Sequence, residues 1–212
     1  MSTAGLAEQL EAGLAASCAE PPDPDIIGQL LNYLDLLLRW NDAYNLTAIR
    51  DPRQMVTRHL LDSLSVLPWI DEGPLLDAGA GAGLPGIPLA IMRPELQVTL
   101  LDSAGKKIRF LNHVARSLKL GNIHPVQERL EAWACEKPPS QIISRAFSDL
   151  SVFAHACQHL ADEKTRLLAM KGKHPEAELE SLPAWLRVES IEKLTVPGLQ
   201  EDRHLVIMSF IR

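Results

Sequence analysis

The chain has 212 residues, 46% of them hydrophobic, enough for one domain of ordinary size with an extension. No apolar run approaches the ~20 residues of a membrane span, and no basic stretch followed by an apolar one opens the chain, so neither a membrane segment nor a secretory leader is expected. The net charge of −6 excludes little, because residues 1–38 hold six acids and no Lys or Arg, which leaves 21 acids against 21 bases in the remainder.

In chain order, residues 5–18 are rich in Ala and Leu and predict a helix, interrupted by Pro21, Pro22 and Pro24. Asp25 is placed as the N-cap of an amphipathic helix with Ile27, Leu30, Leu31, Leu34, Leu37 and Leu38 at helical spacing. Asn41 to Arg50 reads as a polar loop, Pro52 as the opening of a short helix and Arg58 to Leu67 as another helix. From Gly73 the texture changes. Strands are predicted at 74–79, 97–102, 123–127, 140–145 and 164–170, with helices at 85–92, 104–118, 129–134 and 149–160. Alternating β and α predicts a parallel sheet covered by helices on both faces. Residues 185–196 and 204–211 read as two long strands joined through Pro197-Gly198, an antiparallel pair at the end of the sheet. The expected division is a helical extension over 1–72 and an α/β core over 73–212. Cys18, Cys135 and Cys157 show no CxxC spacing, which points to a reducing, cytoplasmic setting and away from structural zinc.

The densest signal is the run Leu75-Leu76-Asp77-Ala78-Gly79-Ala80-Gly81-Ala82-Gly83-Leu84-Pro85-Gly86. It reads as a buried strand, a tight turn and a helix start, with glycines where side chains would keep a ligand from the backbone. Gly81-x-Gly83-x-x-Gly86 matches the dinucleotide fingerprint, and Asp102 ends the next strand where an acid holds ribose hydroxyls. An NAD(P) oxidoreductase is therefore one reading. Asp77 weighs against it, since a carboxylate beside the turn repels a pyrophosphate and suits an ammonium or sulfonium group. Asp77-x-Gly79-x-Gly81-x-Gly83 is similar to the first motif of class I S-adenosylmethionine (SAM) methyltransferases.

Further segments extend that likeness: Asn45 to Pro52, Arg58-His59-Leu60-Leu61-Asp62-Ser63-Leu64, Gly81 to Ala90, Leu100-Leu101-Asp102-Ser103 with Lys106-Lys107, Ile143-Ser144-Arg145-Ala146, and Lys171-Gly172. From about residue 30 onward the chain resembles the bacterial small-subunit ribosomal RNA methyltransferase G family. The resemblance implies a class I methyltransferase (Rossmann-like) fold. That is an α/β, mostly parallel seven-stranded sheet with a C-terminal antiparallel strand and an N-terminal helical extension. It implies methyl transfer from SAM, leaving S-adenosylhomocysteine, to N7 of a guanine in 16S ribosomal RNA, free or within the 30S subunit or its precursor. It implies cofactor contacts at Gly79 and Leu84, with Gly81 and Gly83 in the same turn, at Leu130 and Glu131 after the third strand, and at Arg145 after the fourth. Asp77 and Asp102 follow from the wider class I pattern. A cytoplasmic monomer without metal or membrane is expected.

The chemistry is consistent with that reading. Amino methylation usually employs an (Asp/Asn)-Pro-Pro-aromatic motif, whereas the chain has Lys137-Pro138-Pro139-Ser140. Cys135 and Cys157 lie in helical patterns without a preceding proline and read as structural thiols rather than nucleophiles. Guanine N7 carries a lone pair and no proton, so positioning carries the catalysis and no catalytic base is assigned; Arg145 and Lys171 are the supporting candidates. Candidate RNA contacts are Arg50, Arg53, Arg58, Lys106, Lys107, Arg109, Arg145, Lys171 and Lys173. His59 and Asp62 are read as a helix-surface pair linking the N-terminal helices to the core, and His155 with His159 as lacking a third metal ligand. A SAM-binding ribosome-assembly factor is the other alternative.

Overall fold

The computed structural model describes residues 3–16, 23–145, 147 and 149–211, so Cys18 lies outside the described residues. The chain opens with two helices, α1 (Thr3–Ala15) and α2 (Pro24–Tyr44). The cap of α2 is Asp23 rather than Asp25: its carboxylate accepts the Asp25 N–H at 2.8 Å, and Pro24 takes the first helical position, where no N–H is required. The helix also runs past Leu38 into the stretch expected to be loop, ending at Asn45 in the left-handed conformation. Next, α3 (Pro52–Met55) continues without a break through a π-helical turn (Val56–Leu61) into α4 (Asp62–Leu64), so the two helices expected here are one continuous element.

The remaining elements are β1 (Leu75–Ala78), α5 (Gly86–Met92), β2 (Val98–Asp102), α6 (Gly105–Ser117), β3 (Ile123–Gln127), β4 (Gln141–Ser144), α7 (Leu150–Cys157), β5 (Arg166–Lys171), α8 (Glu176–Glu180), β6 (Leu186–Lys193) and β7 (His204–Phe210). Residues 129–134, expected to be helical, form a turn, and α8 was not anticipated. The seven strands pair in the order β3-β2-β1-β4-β5-β7-β6. The first five are parallel, while β7 runs antiparallel between β5 and β6.

Alternation along the strands divides the apolar residues between two cores. Leu75, Leu100, Ile143 and Leu168 face the side covered by α5 and α6, where Leu10, Leu30 and Tyr33 of the first two helices join the same core. Leu76, Leu101, Ile142 and Leu167 face the side covered by Phe153 and Leu160. Tyr33 also donates its buried hydroxyl to the Ala82 carbonyl at 2.8 Å, tying α2 to the glycine turn. Strand order reverses between β1 and β4, and in open α/β sheets that reversal opens a crevice at the carboxyl edge.

Candidate active site

Two chain segments leave the carboxyl edge at the reversal, the glycine turn after β1 and Arg145 after β4. The turn hangs from β2, with the N–H groups of Gly79 and Ala80 both donating to the Leu101 carbonyl, at 2.9 and 3.0 Å. Asp102 then fixes three neighbours at once. Its Oδ2 accepts the Gly81 N–H at 2.9 Å and lies 3.2 Å from Lys107 Nζ, while Oδ1 accepts the Ala104 N–H at 2.9 Å. Gly83 sits at φ +93°, where a Cβ would overlap Ile87 and Leu111.

Asp77 is fully buried, and its Oδ2 accepts the Gly86 N–H at 2.8 Å. Burial pushes its pKa up to about 7, against the opposing pull of the Gly86 N–H and of Arg145. The carboxyl braces the turn from behind and lines none of the cavities described below. Oδ2 thus meets the start of α5, while Oδ1 is buried without a hydrogen-bond partner among the described residues.

Three cavities follow one another along the edge. A cleft of about 250 Å³ lies between Gly79, Asp102, Leu130 and Glu131. A second, of about 220 Å³, runs along Gly79–Ala82 and Leu84 and shares Gly79 and Lys107 with the first. Its far wall is Thr47, His59 and Arg145. A third, of about 310 Å³, shares His59 and Arg145 with the second and continues to Asp62, Lys171 and Arg203.

The shared wall is a network of side chains. Arg145 donates through Nη1 to Asp62 Oδ2 at 3.0 Å and to the Arg58 carbonyl at 3.1 Å. Arg203 Nε donates to the other Asp62 oxygen at 2.9 Å. One buried carboxylate thus pairs with two guanidiniums. His59 Nε2 lies 2.9 Å from Thr47 Oγ1 and Nδ1 lies 3.1 Å from the Arg58 carbonyl. Burial, then Arg145, lowers its pKa to about 4, so the ring is neutral. Contrary to the helix-surface pair expected from their spacing, His59 and Asp62 are buried and do not pair with each other; each looks to a different part of the chain. Both lie on or just after the π-helical turn, a feature that recurs at functional sites.

The cavity line fits a long nucleoside cation. Asp102 and Glu131 offer acceptors for ribose hydroxyls at one end, the turn leaves backbone bare in the middle, and Arg145 offers a guanidinium to a carboxylate at the other. The turn and Asp102 alone would serve a dinucleotide equally well. The family model for rRNA small subunit methyltransferase G decides between them, matching residues 26–206.

The chain belongs to that family. It is a SAM-dependent methyltransferase. A protein of Pseudomonas aeruginosa named ribosomal RNA small subunit methyltransferase G is 55% identical over 187 residues, covering 88% of this chain and 87% of its own length. A protein of the same name from Escherichia fergusonii is 51% identical over 180 residues, covering 85% and 87%. Among solved structures, a SAM-dependent methyltransferase from Aquifex aeolicus superposes with a TM-score of 0.55 at 19% identity, over 75% of this chain and 94% of that one. P. horikoshii TYW2 in complex with MeSAdo gives 0.56 at 11%, over 71% and 61%. At these identities the two structures speak to the fold, which is the class I methyltransferase architecture.

The structure distributes the family's expected residues as follows. Gly79, Gly81, Leu84, Asp102, Leu130, Glu131 and Arg145 line the first two cavities, whereas Gly83 shapes the turn from within. Arg58, Arg145 and Lys171 meet at the third cavity, Arg58 paired with Glu201 and Lys171 with Glu178 at 2.7 Å. Arg50, Arg53, Lys106, Arg109 and Lys173 lie outside all three. Sequence reasoning missed Arg203 and the role of Asp62. The available signals were an acid among Leu60, Leu61 and Leu64, and a cation just before a strand. Because β7 is antiparallel, that strand begins at the carboxyl edge, with His204 opposite Lys171.

Proposed function

We propose that this enzyme methylates N7 of a guanine in small-subunit ribosomal RNA, in the cytoplasm, with residues 1–72 serving as a helical extension that walls the acceptor side of the 73–212 core. The observation that carries the reading is the wall of His59 and Arg145, which separates a glycine-turn cavity from a cavity lined by cations.

SAM supplies an electrophilic methyl group when bound. The chain's own residues supply position. Asp102, Leu130 and Glu131 would hold its nucleoside end, and the turn with Arg145 its amino-acid end. Guanine N7 has an in-plane lone pair and no proton to remove, so a base beside it is not required. His59 fits that demand, being neutral and occupied on both nitrogens. Asp62 keeps the Arg145 and Arg203 guanidiniums fixed and partly neutralised, so they orient RNA without repelling a cationic donor.

Transfer of labelled methyl from SAM to small-subunit rRNA or 30S particles tests the reading, with N7-methylguanine located by reductive strand cleavage. Transfer is expected, and Arg145→Ala should lower it by at least about tenfold. Absence of transfer to either substrate would favour the assembly-factor role. Thermal stabilisation by NAD and not by S-adenosylhomocysteine would overturn the cofactor assignment.

A further inference from the structure

Between Asp102 and Glu128 the chain has no acid, yet it carries Lys106, Lys107, Arg109, Arg116 and Lys119. All fall on α6 or just beyond its end. At 100° per residue, Lys106, Arg109, His113 and Arg116 share about a quarter of the helix circumference, opposite the buried Ile108, Leu111 and Val114. Lys107 turns aside to Asp102. Among the described residues, no carboxylate pairs with Lys106, Arg109, Arg116 or Lys119, although most cations lining the cavities are paired.

This arrangement is unfavourable within the isolated protein. Like charges three and four residues apart repel, and Lys106 sits in the first turn, against the helix dipole. An aromatic group borders the same face. Trp40 stacks on Tyr44, with ring centroids 5.1 Å apart, and lies 5.2 Å from His113. The Arg109 guanidinium stands 6.0 Å over the exposed Tyr44 ring, and Lys106 Nζ holds the Tyr44 carbonyl at 2.9 Å.

We propose that the outer face of α6 is a second RNA anchor, outside the cavities, which carries the phosphate backbone of substrate RNA flanking the methylated nucleotide. Arg109 and Arg116, about 10 Å apart along the helix, and Lys119 neutralise successive phosphates, and Tyr44 offers its ring to an unpaired base at the stripe's inner end. The proposal rests on the rRNA reading above and adds to it a surface that the cavities do not contain.

The test compares the full-length wild type with a variant carrying Arg109→Gln, Arg116→Gln and Lys119→Gln, using small-subunit rRNA and 30S particles. The variant should bind RNA with a plot of log affinity against log salt shallower by roughly 2 to 3. Its KM for RNA should rise roughly tenfold at moderate salt, with kcat and S-adenosylhomocysteine affinity unchanged. A variant with Arg109→Lys and Arg116→Lys should keep the wild-type slope. An unchanged slope and KM in the Gln variant, with the wild type methylating normally, would overturn the α6 anchor and leave the rRNA reading intact. A Gln variant weakened equally toward S-adenosylhomocysteine would also overturn it, since the effect would then lie in the fold. A wild type that neither binds nor methylates rRNA would overturn both.

Discussion

On the Asp102 side of the site, the walls are largely backbone and the fixing contacts span short stretches of chain. Asp102 holds Gly81 across 21 residues, and Asp77 holds Gly86 across nine. On the Asp62 side, the walls are charged side chains and the contacts span 83 residues to Arg145 and 141 to Arg203. The first region is local geometry, which a chain segment specifies almost by itself. The second exists only once helices, β4 and the start of β7 have met. Cofactor and acceptor binding should therefore fail separately, and in different ways.

The largest effect is expected from Asp62→Ala. It leaves the Arg145 and Arg203 guanidiniums facing each other without their shared carboxylate, and breaking such a buried pair costs about 4 kcal/mol. Urea unfolding should register that loss. In protein that remains folded, kcat/KM for RNA should fall far more than affinity for S-adenosylhomocysteine. Equal losses in both would mean that the two regions are not separable.

Gly83→Ala attacks the other side. A methyl group there meets Ile87 and Leu111 at a φ that L-residues resist, a cost of about 3 kcal/mol. Calorimetry should show the affinity for S-adenosylhomocysteine falling while RNA binding persists, the reverse of the Asp62 variant.

This contrast also explains how much could be read from the chain. The strands, the glycine turn and Asp102 were legible because each signal fits in one short window: an apolar run, a positive-φ glycine, an acid at a strand end. Leu130 and Glu131 came from family position, since residues 129–134 carry a helical pattern but form a turn. Arg203 was invisible because its meaning depends on the antiparallel setting of β7. The sequence places the cap of α2 two residues late, because Pro24 reads as an interruption although it is the first helical residue. Asp77 sits at the expected turn, but nothing in sequence reveals that its Oδ2 braces the start of α5.

The two regions also titrate in opposite directions. The Asp77 pKa rises from an ordinary 3.8 to about 7 on folding, so the native state holds the proton more tightly. Its contribution to stability is full below about pH 4 and is lost as pH rises through 7. The His59 pKa falls from 6.5 to about 4, so its contribution is full above pH 6.5 and is lost as pH falls through 4. In the wild type these slopes offset each other between about pH 4 and 6.5. Relative to wild type, Asp77→Asn should gain stability as pH rises from 4.5 to 7 and His59→Gln should lose it, each on the order of 2 kcal/mol by chemical denaturation. Slopes of the same sign would show that one of the two groups is not buried as described.

The smallest effect probes the wall between the regions. A carbonyl can only accept, so His59 Nδ1 carries the hydrogen toward Arg58, and Nε2 must accept the Thr47 hydroxyl hydrogen. Thr47 Oγ1 in turn accepts the Ile49 N–H at 3.2 Å, which sets the hydroxyl's direction. Thr47→Val keeps the volume and deletes this donor, leaving a buried ring nitrogen unpaired at about 1 kcal/mol. Burial and Arg145, which depress the His59 pKa, are untouched by this change, so the pKa measured by NMR should stay well below its ordinary value. The ring then remains neutral but loses the contact that fixes its Nε2 edge. If methyl transfer slows while S-adenosylhomocysteine affinity holds, the orientation of His59 matters to the acceptor side. If transfer is unaffected, the hydrogen bond serves only to pack the wall, and the separation of the two regions rests on Arg145 and Asp62.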